Sequence, residues 1–277
     1  LRRLIVTADD FGAAVTVNEA VERGVRQGVL RAASLMVAGA AAADAVARAR
    51  RLQGLRVGLH LVLVEGRPQS PPEAIPDLID AEGRLRVDMA RLGLEIALLP
   101  KVRRQLAREI SAQFAAFAAT GLALDHVNTH KHYLLHPVIA GLVLRIGAGY
   151  GMAASRAPLE PRRVLRAVDP TAVPGPALAT RPWAELVRAR FRRAGVVMAD
   201  QVFGLAWSGA MTSERVAGLI ERLPPGLSEL YLHPALDGGF EGAAPGYGYA
   251  AEAAALIDPL VLRAAARVEV GAFSDFA

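Results

Sequence analysis

Short β-branched runs alternate with amphipathic stretches along nearly the whole chain, and this rhythm constrains the fold more than any other feature. Residues 4–7 (LIVT) read as a buried strand, followed by a helical period through Val17, Ala20, Val21 and Val25. The pattern recurs, with strands expected at 33–37, 57–63, 124–128, 150–154, 201–205 and 227–232. Helices are expected at 43–52, 137–146, 182–193, 213–223 and 250–266, the last leading into a short run at 268–270. Pro137 suits a first helical turn, and Thr212-Ser213 before Glu214 reads as an N-terminal cap. Strands alternating with helices imply a parallel sheet covered by helices. Seven or eight such units in 277 residues predict a single α/β domain, 1–277, folded as a (β/α) barrel of seven or eight parallel strands with some distortion. The Pro-rich segments 67–76 and 157–182 read as loop insertions, lying within 65–100 and 156–182.

Composition removes several alternatives. Apolar residues make up 53% and charged ones 21%, far from the signature of disorder. The absence of cysteine excludes disulfides, a thiol nucleophile and cysteine-ligated metal. The formal charge of +5 rests almost wholly on arginine, with Lys101 and Lys131 the two lysines. Those arginines are scattered and aromatics are 5% of the chain, too few for a base-stacking platform, so no nucleic-acid partner is expected. No segment reads as a signal peptide or a membrane span, which makes the cytoplasm the default location.

The chemistry concentrates in two acids and six histidines. Asp9 and Asp10 follow the first strand in TADDFG, His60 lies in GLHL, and His233 in LHP. His126, His130, His132 and His136 fall in one window, DHVNTHKHYLLHP. In a parallel barrel the C-terminal strand ends converge on one face, so four strands would deliver these groups to a common mouth. One carboxylate and two imidazoles form a facial metal site with open positions, and a second carboxylate can then act as base toward bound water. Alternation along a strand puts His126, Asn128 and His130 on one side if the backbone stays extended. Taken singly, His60 could be a core residue, DDFG a turn, and His136-Pro137 a helix start. His126 reads as an orienting or core residue.

TADDFG, GLHL, HVNTHKH and LHP, in that order over about residues 7–234, resemble the YdjC/ChbG carbohydrate deacetylases, relatives of the NodB-like polysaccharide deacetylase barrels. The resemblance implies Asp10, His60 and His130 as ligands of one divalent ion (Zn, Mg, Mn or Co), Asp9 as catalytic base and His233 as general acid. Asn128 stands where the family pattern has an acid, and Lys131 is also atypical. These departures resemble the branch associated with hopanoid biosynthesis, HpnK-like, which implies N-deacetylation of an N-acetylglucosaminyl hopanoid.

Asn128 and His132, each two residues from His130, are expected to line the substrate side or support the ligands. The segment 183–193 (WAELVRARFRR) mixes Trp183, Leu186, Val187 and Phe191 with arginines. That is the pattern either of an ordinary outer barrel helix or of a helix in peripheral membrane contact. Rival readings are a deacetylase of soluble chito-oligosaccharides, a glycosidase using Asp9 and a second carboxylate, and a non-catalytic sugar- or lipid-binding barrel.

Overall fold

The computed structural model describes residues 1–172 and 177–277. Nine strands form one sheet in which every neighbouring pair is parallel. They are β1 (Arg2–Phe11), β2 (Ala32–Leu35), β3 (Arg56–Leu61), β4 (Leu124–Thr129), β5 (Ala154–Ser155), β6 (Val197–Met198), β7 (Gln201–Phe203), β8 (Gly226–Leu232) and β9 (Glu269–Gly271). The order is β6-β5-β4-β3-β2-β1-β8-β7, with β9 paired to the first half of β1. The two ends of that path are consecutive in the chain, only Ala199 and Asp200 apart, so the sheet curls round on itself. The fold is an α/β half-barrel of eight parallel strands with helices packed outside, as the βα rhythm predicts.

Ten α-helices accompany the strands among the described residues: α1 (Val15–Gln27), α2 (Ala42–Ala49), α3 (Met89–Leu98), α4 (Pro100–Ala119), α5 (Pro137–Ala148), α6 (Arg162–Val168), α7 (Ala177–Arg193), α8 (Ser213–Glu221), α9 (Tyr249–Ala255) and α10 (Pro259–Ala265). Several differ from expectation. The 65–100 stretch is not all loop, because α3 occupies its end. The 156–182 stretch likewise contains α6 and the start of α7, while 173–176 lie outside the described residues. The strand expected at 150–154 is β5, two residues at 154–155. The helix expected at 250–266 breaks into α9 and α10 where Pro259 cannot donate a backbone hydrogen bond, and Asp258 caps the restart through Leu260 N–H at 2.7 Å. Thr212 precedes α8, but its side chain makes no capping bond. Among the described residues no helix is long and apolar enough to cross a membrane.

The two faces of the sheet carry different cargo. On β1, Leu4, Val6 and Ala8 point outward into the large core shared with the helices. Ile5 points inward, where it meets Ala32, Ala154, Val202, Leu227, Tyr231 and Phe273. Period-two alternation carries that inward face onward to Thr7 and Asp9 on β1, to Ser34 on β2 and to His60 on β3. The same step leads to His126 and Asn128 on β4, Arg156 after β5, and Glu229, Tyr231 and His233 along β8. The strand interiors are therefore apolar at the bottom and polar at the C-terminal ends.

Candidate active site

Two adjacent acids on a regular strand would face opposite sides of the sheet. Here the β1–β2 register shifts between Ala8 and Phe11, and Asp10 takes a left-handed φ of 60°. The irregularity re-aims Asp10 so that both acids serve the same mouth. Asp9 and Asp10 are thus the last turn of β1 itself rather than residues after it. A second departure follows β4, where His130 opens a 3₁₀ turn and Lys131 and His132 both have φ near 53°. That left-handed pair folds the chain back, and His132 Nε2 reaches the Tyr231 hydroxyl at 2.8 Å. Lys131 pairs with Glu65, and both line the rim of the same cleft.

Asp10, His60 and His130 come together, each offering one ligand atom, with all three atoms within 4.8 Å of one another. Asp10 Oδ1 lies 3.2 Å from His60 Nε2 and 3.5 Å from His130 Nδ1. It is buried, yet no hydrogen bond of proper geometry reaches it. On the far side of His60, Nδ1 meets Asn128 Oδ1 at 2.7 Å. The Asn128 amide nitrogen faces Asp9 Oδ1 at 3.1 Å and Ser34 Oγ at 2.8 Å. Those partners fix the amide orientation, so Asn128 Oδ1 must accept, and His60 carries its proton on Nδ1. His60 Nε2 points at Asp10 and His130 and offers a lone pair there when the ring is neutral. Burial opposes the charge on Asp10, but the two imidazoles outweigh it and hold the carboxyl well below its usual range. Burial likewise opposes charge on His60, and Asp10 and Asp9 outweigh it in the upward direction. An orphaned buried carboxylate oxygen facing two imidazole nitrogens fits a divalent cation, and the Asp-His-His donor set accepts Zn²⁺ or its neighbours.

Asp9 is surrounded differently. Its Oδ1 accepts from Arg156 Nη2 at 2.9 Å, Asn128 Nδ2 at 3.1 Å and Ser34 Oγ at 3.2 Å, and its Oδ2 from Arg156 Nη1 at 2.5 Å. Burial would raise its pKa, but the Arg156 guanidinium prevails and holds the carboxyl far below the usual range. Arg156 is itself buried, lies over the Tyr231 ring at 4.4 Å and also donates to Glu229 Oε1 at 2.7 Å. Nothing in the sequence singled out Arg156, one arginine among many following a two-residue strand.

His233 lines the same cleft as Asp9, Asp10, His60, His130 and His132. Its backbone N–H and that of Met211 donate to buried Glu252, whose Oε2 lies 4.0 Å from His233 Nδ1. The cleft encloses about 630 Å³, with Tyr247, Tyr249, Leu205 and Val87 among its walls. Two histidines stay out of it. His136 accepts from Val138 N–H at the start of α5 and faces the Gly93 carbonyl at 3.1 Å. His126 is fully buried behind Asp9, between Asp125 and Ser34. On α7, Ala184, Val187 and Phe191 are buried whereas Trp183 and Leu186 are 49% and 56% exposed. The expected single stripe is therefore two, one core and one open.

Comparison with known proteins identifies the family and the fold. The family profile described as YdjC-like protein matches residues 3–267. A carbohydrate deacetylase from Brevibacillus brevis is 39% identical over 148 residues, which cover 53% of this chain and 56% of that protein. The chain thus spans little more than half the length of that relative. A carbohydrate deacetylase from Geobacillus stearothermophilus is 30% identical over 235 residues, 84% of this chain and 80% of the relative. Among solved structures, one from Enterococcus faecalis V583, provisionally described as a cellobiose-phosphate cleavage protein, superposes with a TM-score of 0.77. At 20% identity, over 100% of this chain and 99% of that one, it attests the fold.

Proposed function

The chain belongs to the YdjC-like family, and from that premise we propose that it is a metal-dependent N-deacetylase of an acetylated amino sugar. The observation that carries the proposal is the convergence of Asp10, His60 and His130 beside Asp9 and His233 in one cleft. Asp10, His60 and His130 would hold the ion, which when bound lowers the pKa of a water toward about 7 and draws charge off the acetyl carbonyl. Asn128 keeps His60 in the tautomer that presents Nε2 to that ion. Asp9, which lines the cleft beside the three ligands, takes the proton of the attacking water. A carboxylate so strongly acidified holds that proton only in passing, and its first service is to orient the water. His233 donates a proton to the sugar nitrogen as the C–N bond breaks, because an unprotonated amide nitrogen is too poor a leaving group. Tyr247 and Tyr249 form part of the wall against which the sugar would lie.

The substrate we favour is a lipid-linked N-acetylglucosamine, the hopanoid class, handled by one domain working in the cytoplasm at the inner face of the membrane. The Asn128-to-Lys131 departures support it. So do the half-exposed Trp183 and Leu186 and, at the cleft wall, Val87 at 68% exposure. The test is acetate release from an N-acetylglucosaminyl hopanoid in anionic liposomes, set beside soluble diacetylchitobiose. Acetate from the liposomes, with protein sedimenting alongside them, is the expected result. Turnover of diacetylchitobiose alone would replace the lipid with a soluble chito-oligosaccharide. Acetate from neither, with sugar bound all the same, would mark a binding barrel.

A further inference from the structure

Behind Asp9, Ser34 leads to buried side chains, His126 and Asp125, that the reaction above does not use. Ser34 Oγ is placed 3.2 Å from Asp9 Oδ1, 2.8 Å from Asn128 Nδ2 and 2.9 Å from His126 Nε2. On its other side His126 Nδ1 is 2.8 Å from Asp125 Oδ2, and Asp125 Oδ1 accepts from Ser274 N–H at 2.9 Å. Ser34 and His126 are wholly inaccessible and Asp125 is 5% exposed. The imidazole stacks on the Phe273 ring, centroids 4.7 Å apart and planes tilted by 30°. A methyl group at Gly58 would fall 2.5 Å from His126 Nδ1, so the residue on the neighbouring strand has to be glycine for the ring to fit. The site is built around this histidine.

The hydrogen-bond inventory narrows where the protons can be. The Asn128 nitrogen can only donate to Ser34, and the Asp9 carboxylate, paired through both oxygens with Arg156, can only accept from it. With Ser34's one proton given to Asp9, a lone pair faces His126 Nε2, and that nitrogen then brings its own proton. Nδ1 faces a carboxylate and must bring one as well. Of the groups packed against the ring from the surrounding elements, Asp125 on β4, Ser34 on β2, Gly58 on β3 and Phe273 after β9, Asp125 is the charged one, and it supplies the counter-charge that a buried cation requires.

We propose that Ser34 and His126 are positioning residues for Asp9, and that His126 does this as an imidazolium clamped against Asp125. With both ring nitrogens donating, Ser34 cannot turn away from Asp9 toward His126, and the carboxylate is held in one rotamer beside the expected metal. A neutral His126 would compete for the Ser34 proton and release one of Asp9's donors. The kinetic part of this inference rests on the deacetylase reading, while the proton assignment does not.

Two measurements test it. In the wild-type protein labelled with ¹⁵N-histidine, the ring identified by its Overhauser contacts to Phe273 should show a directly bonded proton on both nitrogens at neutral pH. An unprotonated Nε2 on that ring overturns the proposal, whatever the enzyme turns over. The variant Ser34→Ala should lower kcat by ~10–100-fold, the size of loss usual when a group supporting a metal site's shell is removed, with KM and bound metal unchanged. A Ser34→Ala protein with wild-type kcat overturns the positioning role. Wild-type protein that releases no acetate from any N-acetylated sugar would instead sink the functional reading, and the NMR result would stand apart from it.

Discussion

Two groups of ionisable side chains sit a few ångströms apart at the strand ends and are built on opposite terms. Around Asp9, donors converge on both oxygens from Arg156, Asn128 and Ser34. Around Asp10, acceptors converge, and a buried oxygen faces two imidazoles with no well-formed hydrogen bond. The first arrangement is complete as a protein structure, while the second has the donor set and the unfilled oxygen that suit a divalent cation. Two neighbouring aspartates on one strand thus differ in what surrounds them, and the proposed roles, Asp9 as a positioned base and Asp10 as a ligand, follow that difference.

The sharpest way to break that contrast is to substitute the two acids separately. Replacement of Asp10 by Asn, or of His60 or His130 by Ala, should bring acetate release to background, because catalytic metal sites rest on about three protein ligands. Asp9→Asn should retain metal and lose roughly 10²–10⁴-fold in kcat, the range ascribed to general acid–base groups. If Asp9→Asn sheds the metal while Asp10→Asn keeps it, the roles are exchanged. Arg156→Ala tests whether the Asp9 side is truly complete without metal. It strands Asp9 and Glu229 as buried carboxylates, so urea unfolding should report a loss of about 3–5 kcal/mol. A smaller loss in Arg156→Lys would follow from one ammonium replacing a two-pronged guanidinium. Smallest are Asn128→Asp and His132→Ala, each expected to cost ~10–100-fold in turnover or metal affinity. Unchanged activity in His132→Ala would leave its bond to Tyr231 a purely structural one.

How much of this could be read from the chain depends on how local the signal is. β1, β3, β4 and β8 announce themselves through apolar runs, and the histidines at or near their ends mark the mouth. α4 was not among the expected helices although Val102, Leu106, Ile110, Phe114 and Phe117 recur at helical spacing and are all buried, because the preceding Pro-rich segment invites a loop assignment. Arg156 was not legible. It follows a two-residue strand, and only the curl of the sheet brings it against Asp9 and Glu229, 147 and 73 residues away in sequence. Ser34 and Glu229 are of the same kind, ordinary residues on strands until alternation turns them inward. The left-handed backbone at Asp10 and at Lys131-His132 also has no sequence mark, because glycine is absent from those positions. Ligand types are thus visible in a sequence, whereas the residues that hold them in place are visible only in the fold.

The central claim is that Asp10, His60 and His130 share one divalent ion, and elemental analysis of the purified protein tests it most directly. Wild-type protein, and Asp9→Asn with it, should carry close to one equivalent of Zn²⁺, Mn²⁺, Co²⁺ or Mg²⁺ after dialysis against that metal, and His60→Ala should carry almost none. Wild-type protein that stays metal-free under those conditions, or a His60→Ala variant that binds as much as wild type, would contradict the account.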